Sequence, residues 1–197
     1  MRCGVGRRYW DAKVDLLREP EPVVSYLDDL AGQVEEGRGL LLLGPVGVGK
    51  TAALALIARE AQGKLPGVWY ATTSGVIDHV LRGAQMRTEI QGFGIEQGQP
   101  YEVDPKEWPL LLLDEFGAAY ESDYAMAAFE DYLGWRYDQK MATCVASNLT
   151  PERIKSNVHT ERMVDRWKQT CRVVVIGGES MRRSDGAQKA RKEKASG

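Results

Sequence analysis

Two short stretches of this chain bring together residue types that can handle a nucleoside triphosphate. The first is Gly44-Pro45-Val46-Gly47-Val48-Gly49-Lys50-Thr51, which fits the spacing GxxxxGK[ST]. Glycines let successive backbone N–H groups turn inward around phosphate oxygens, and the positive end of a following helix adds to their pull. Lys50 is then placed to reach the β- and γ-phosphates of ATP, and the Thr51 hydroxyl to ligate Mg2+. The second stretch is LLLLDEFG, Leu110 to Gly117, where an apolar run ends on two adjacent acids. A carboxylate at Asp114 suits the Mg2+ shell, and Glu115 beside it suits the general base that polarises a water for in-line attack on the γ-phosphate. A further polar group, Asn148, lies in ASNLT, Ala146 to Thr150. It would stand beside the γ-phosphate if its strand neighbours the strand feeding the glycine loop; alone, an asparagine before Thr-Pro also reads as a cap for the next helix.

These groups need a frame, and the chain supplies one by alternating short apolar runs with longer helical patterns, the mark of a parallel sheet covered by helices. The strand candidates are Leu40 to Leu43, Val68 to Tyr70, Leu110 to Leu113, Thr143 to Ala146 and Arg172 to Ile176. They are nearly continuous in apolar character, as strands buried on both faces should be. Helical patterns cover Thr51 to Ala61, Ser74 to Arg82, Asp123 to Tyr137, Pro151 to Lys155 and Glu161 to Lys168. Ahead of the first strand there is room for a linker strand and one helix, Val23 to Glu36. The largest irregular insertion runs from Gly83 to Trp108. The expected organisation is an N-terminal linker and helix over 1–38, a nucleotide-binding core over 39–183, and a basic, disordered tail over 184–197.

Composition narrows the class. With 197 residues and 43% hydrophobic content, the chain can bury one good core. No run of eighteen apolar residues and no secretory leader pattern is present, which predicts no membrane partner and a cytoplasmic location. Cys3, Cys144 and Cys171 are odd in number and widely spaced, so they form neither a metal cluster nor a disulfide framework, and the latter two are core candidates. The net charge of −2 predicts no nucleic-acid partner by itself, but from Arg182 onward six basic residues face two acidic ones.

Taken together, GPVGVGKT, LLLLDEFG, YLGWRYDQKMATCVASNLTPE and ERMVDRWKQTCRVVVIGGESMRR resemble the AAA+ ATPase module of bacterial replicative helicase loaders of the DnaC and DnaI type. They are similar also to the related IstB-type transposition helper ATPases. The resemblance runs from about Tyr9 to Arg183. It implies a five-stranded parallel sheet sandwiched by helices, with Asp114 and Glu115 as the Walker B pair and Asn148 as sensor 1. It implies an arginine finger in ERMVDRW, best matched by Arg166 with Arg162 as the near alternative, and a sensor 2 best matched by Arg182 in ESMRR. The helical lid is expected to be reduced or absent, because about twenty residues follow the last strand. The resembling loaders carry a separate N-terminal domain that grips the helicase, whereas only Met1 to Gly37 precede the first strand here.

The expectation is thus an ATP- and Mg2+-dependent switch that assembles head-to-tail on single-stranded DNA, with Arg166 acting in trans. Its task would be to load or remodel a replicative helicase or another DNA-bound protein. An IstB-type helper that selects target DNA shares the fold. A small-molecule P-loop kinase would need an arginine-rich lid and an acceptor pocket, and the presence of every hydrolytic group disfavours a passive binding module. Two sites compete for DNA: the insertion, with Arg82 and Arg87 for phosphates and Phe93 for stacking, and the basic tail. Trp10 reads equally as an adenine stack or as a pin for the N-terminal segment.

Overall fold

The structure, a computed structural model, describes residues 5–82, 107–117 and 122–181. Arg87, Phe93, Arg182 and the basic tail lie outside these residues. The chain opens with single 3-10 turns at Arg7–Tyr9 and Val14–Leu16, then α1 (Pro20–Asp28) and α2 (Leu30–Glu35). The core alternates from there: β1 (Gly39–Leu43), α3 (Lys50–Ala61), β2 (Val68–Thr72), α4 (Thr73–Arg82), β3 (Leu110–Phe116), α5 (Asp123–Asp138), β4 (Ala142–Ser147), α6 (Pro151–Lys155), α7 (Val158–Thr170) and β5 (Cys171–Val175).

Every strand pair is parallel, and the strand order is β2-β3-β4-β1-β5. Leu40, Leu41, Leu42 and Leu110 to Leu113 are essentially inaccessible, because both faces of the sheet are covered. On one face α1, α2 and the alanine-rich α3 pack against Leu40, Leu42, Leu110 and Leu112. On the other, α4, α5 and α7 pack against Leu41, Trp69, Leu111, Leu113 and Val145 through Val76, Phe129, Tyr132 and Trp167. Cys144 and Cys171 are buried free thiols, with burial pushing them up to about 11 and about 12.

The N-terminal region differs from the expected linker strand and single helix. Among the described residues no strand forms before β1, and the helix breaks at Asp29, whose backbone (φ −125°, ψ 38°) leaves the helical region. Apolar spacing runs on across the break through Val23, Tyr26, Leu30 and Val34, so periodicity could not reveal it. The Asp29 carboxylate turns back to accept from Gln33 Nε2 at 3.2 Å, and Gly32 leaves it space: a Cβ there would lie 2.5 Å from Asp29 Oδ1. Helix α7 begins earlier than the expected Glu161, because the Asn157 side chain accepts from the Thr160 N–H at 2.9 Å and caps it at Val158.

Candidate functional site

The glycine loop joins β1 to α3 across the carboxyl edge of the sheet. Gly44, Gly47 and Gly49 hold φ values of 155°, 85° and 104°. At Gly47 and Gly49 this is the left-handed region that side chains resist, and a Cβ on Gly44 or Gly47 would run into the Ile176 carbonyl or Ser180. The loop is exposed at Pro45 and Val46, while Val48 is fully buried and anchors it to the core. Helix α3 starts at Lys50, with Gly49 O accepting its first bond from Ala53 N at 2.9 Å. The Lys50 ammonium donates to the carbonyls of Gly44 and Pro45, each at 2.7 Å.

The adjoining strands bring up the remaining groups. Strand β4 lies directly beside β1, with Leu43 opposite Ser147, and the Gly44 N–H donates to Ser147 O at 3.2 Å. This is the neighbour relation Asn148 requires. The Ser147 hydroxyl donates to Phe116 O at 2.8 Å and accepts from Leu149 N at 3.1 Å, so the backbone is pinned on both sides of Asn148. One strand further out, β3 slips register against β4 between Leu113 and Phe116. Glu115 sits in that bulge at φ 58°, which is strained for a residue with a side chain and leaves it exposed. Asp114 is buried, and both carboxylate oxygens are engaged: Oδ2 accepts from the Tyr70 hydroxyl at 2.6 Å and Oδ1 from the Glu115 N–H at 2.9 Å.

The glycine loop, Asn148 and the acid pair thus occupy one edge of three adjacent strands, with Asn148 between the other two. The donor set fits a triphosphate and a hard divalent cation: amides turned by three glycines at a helix N-terminus, a lysine, and the hard oxygens of Thr51 and Asp114. Segments from both ends of the described chain close over the loop. The Met181 N–H donates to Gly47 O at 3.0 Å, and Arg18 Nη2 donates to Glu179 O at 2.5 Å. Arg182 directly follows Met181. Trp10 packs on the core and spends its indole N–H on Val5 O at 3.0 Å, which is the pinning arrangement.

Arg162 and Arg166 are not brought to this edge with the loop. They project from α7, on the sheet face opposite α3, toward the carboxylate of Glu130 on α5. Glu130 Oε1 lies 3.8 Å from Arg162 Nη1 and 3.6 Å from Arg166 Nη1, and Oε2 lies 2.6 Å from His159 Nδ1. Arg166 lies over Gly134, where a Cβ would stand 3.3 Å from Nη1, and that nitrogen is buried without a hydrogen bond. Arg162 is the more exposed of the two, at 62% against 37%.

Sequence reasoning missed Tyr70, Glu130 and Arg136. Arg136 is 1% exposed, and its guanidinium donates to Thr143 Oγ1, Trp108 O and Ala142 O at 3.3, 3.0 and 2.8 Å, fastening α5 to the starts of β3 and β4. Burial pulls its pKa below the ordinary value. A signal existed: Phe129, Leu133 and Arg136 are spaced along one helical stripe, so an arginine stands where the pattern calls for an apolar residue. For Tyr70 and Glu130 no local signal exists, since their partners are 44 and at least 29 residues away.

A parallel sheet in this order, carrying a phosphate loop and an acid pair on its carboxyl edge, defines a P-loop nucleotide-binding protein of the AAA+ class. Over residues 20–189 the chain matches the model for IstB-like ATP binding protein, and it belongs to that family, to which loaders of the DnaC and DnaI type are related. It is 26% identical over 159 residues to the replicative helicase loader DnaI of Bacillus subtilis, covering 75% of this chain and 48% of the relative. The chain therefore spans about half the length of that curated relative. A crystal structure of the DnaC helicase loader superposes with a TM-score of 0.63 at 21% identity, over 87% of this chain and 99% of that one. The replication initiator DnaA bound to AMPPCP and single-stranded DNA gives 0.61 at 18%, over 89% and 52%. Among the described residues, no helix is long and apolar enough to cross a membrane.

Proposed function

We propose that this protein is a Mg2+-dependent ATPase that assembles head-to-tail on single-stranded DNA and loads or remodels a replicative helicase in DNA replication. The observation that carries the enzymatic half is the alignment of Lys50 and Thr51, Asn148, and Asp114 with Glu115 along one edge of β1, β4 and β3. Bound Mg2+ would supply charge neutralisation at the phosphates, held by Thr51 and Asp114. Lys50 and the loop amides bind and orient the triphosphate, Glu115 takes the proton of the attacking water, and Asn148 fixes that water's position. Arg182, one residue beyond the amide that bonds Gly47, acts as sensor 2. The strain at Glu115 favours this reading, since bulged, left-handed residues are retained where a side chain must be re-aimed.

Assembly in trans is supported by the placement of Arg166. It lies on the sheet face opposite α3, out of line with its own subunit's loop, which leaves a neighbouring subunit's loop as the site it would serve. The replication assignment draws on the name of the curated relative, a replicative helicase loader. The second reading, a transposition helper that selects target DNA, is favoured by the family match itself. Phosphate release from ATP, measured with and without single-stranded DNA, tests the proposal. Lys50→Ala should abolish binding or turnover, and Glu115→Gln should keep binding and lower turnover by about 10² to 10⁴. Equal rates for wild type and Glu115→Gln would remove Glu115 from the base role, and phosphoryl transfer to a metabolite would replace the switch with a kinase. Helicase delivery onto coated single strands, set against stimulation of a transposase, separates the two AAA+ readings.

A further inference from the structure

Tyr70 and Asp114 meet across the β2–β3 pair. The register sets Tyr70 opposite Leu112 and Thr72 opposite Asp114, so the two residues are diagonal neighbours on the face that carries α3. An aromatic side chain spans that diagonal. The contact is a 2.6 Å O–H···O hydrogen bond between buried groups, in the short range expected for a charged acceptor. With the Glu115 N–H on the other oxygen, the carboxylate is held from two sides. Neither oxygen is left free to swing.

We infer that Tyr70 is the positioning residue of the metal site, fixing the Asp114 carboxylate so that its remaining lone pairs serve the Mg2+ shell. This rests on the reading of Asp114 as a Mg2+ group. A carboxylate with both oxygens already bonded suits a metal held through ordered water, where a fixed orientation counts for more than charge alone. Loss of an outer partner of this kind typically weakens metal binding by about 10- to 100-fold.

The test is equilibrium binding of a fluorescent ATP analogue to the full chain, first in EDTA and then across a Mg2+ series. Wild type, Tyr70→Phe, Asp114→Asn and the double variant are compared. Tyr70→Phe should bind the analogue like wild type in EDTA and need about tenfold more Mg2+ to reach the tightened state. Its turnover should approach wild type at saturating Mg2+, so that the defect sits in metal affinity and not in kcat. If the tyrosine acts through the aspartate, adding Tyr70→Phe to Asp114→Asn should change nothing further. An unshifted Mg2+ midpoint in Tyr70→Phe, with a shift in Asp114→Asn, overturns the inference alone. No shift in Asp114→Asn overturns the reading of Asp114 beneath it. Loss of binding in EDTA by Tyr70→Phe also overturns the inference, because the phenol would then hold the fold and not the metal group.

Discussion

The two faces of the sheet are built from different materials. Helix α3 lies against one face through Ala52, Ala53, Ala55, Ala58 and Ala61, with Leu54, Leu56 and Ile57 also buried. The opposite face is filled by Trp69, Trp108, Phe116, Phe129, Tyr132 and Trp167, with Phe116 and Trp167 edge to face at 4.8 Å. Small side chains let α3 approach the strands closely, and its N-terminus, which forms the phosphate cradle, is thereby fixed relative to β1. Large aromatics on the other side bury more area and contribute more to stability, and α7, one of the helices they hold, turns Arg162 and Arg166 to Glu130 and not to the loop. One face sets nucleotide geometry; the other sets how much unfolding costs.

The largest effect that separates the faces is at Arg166. If the aromatic face contributes chemistry only to a neighbouring subunit, Arg166→Ala should lower ATP turnover by about 10³ to 10⁵ while leaving nucleotide binding intact. Activity of the wild type should rise more steeply than linearly with protein concentration. Mixing Arg166→Ala with Lys50→Ala subunits should restore part of the activity, since one brings an intact loop and the other an intact finger. Absence of rescue at every ratio would assign Arg166 to the Glu130 cluster as a structural partner and blur the division between the faces.

The sequence was most legible on the α3 face. A four-leucine run followed by GPVGVGKT predicts strand, turn and helix together, and β1 and α3 fall within one residue of the expected bounds. The other strands are recovered to within three residues at either end, because buried parallel strands are continuous in apolar character and need no long-range information, whereas the N-terminal helix splits at Asp29 and α7 starts ahead of Glu161. What stayed hidden depends on register and on helix packing. Tyr70 meets Asp114 only because β2 and β3 pair as they do, and Glu130 gathers His159, Arg162 and Arg166 only because α7 settles against α5. The bulge at Glu115 is likewise a relation between strands that two adjacent acids do not announce.

A second prediction sharpens the energetic side of the comparison. Phe129 is fully buried, with its ring 6.4 Å from that of Phe116. Phe129→Ala removes the ring and leaves a cavity, and should lower unfolding free energy by about 3 to 5 kcal/mol. Because α5 packs chiefly against α4 and α7 and not against α3, the folded fraction should bind ATP with wild-type affinity. Denaturant unfolding with and without nucleotide measures both quantities at once. A loss of intrinsic affinity larger than a few-fold would show that the aromatic face reaches the cradle after all.

The smallest expected effect on stability is the converse, and it bears most directly on why α3 is rich in alanine. Ala55 is 1% exposed, one turn beyond Thr51, inside the cluster formed by α3 with the strands. Ala55→Leu adds three carbons to a site with no room for them, and overpacking of this kind costs about 1 to 3 kcal/mol, less than the cavity at Phe129. The strain is relieved most readily by lifting the helix from the sheet, since β3 and β4 beneath it are locked on both sides by neighbouring strands. Lifting α3 moves the amides at its N-terminus together with Lys50 and Thr51, so ATP affinity should fall in the variant that loses less stability. The comparison therefore predicts opposite rankings for the two substitutions: Phe129→Ala worse for unfolding, Ala55→Leu worse for nucleotide binding. Titration of a fluorescent ATP analogue at a temperature where both variants are folded decides it. If Ala55→Leu binds as tightly as wild type, close packing of α3 is not what sets the cradle, and the loop's own glycines and the buried Val48 must hold the phosphate geometry unaided.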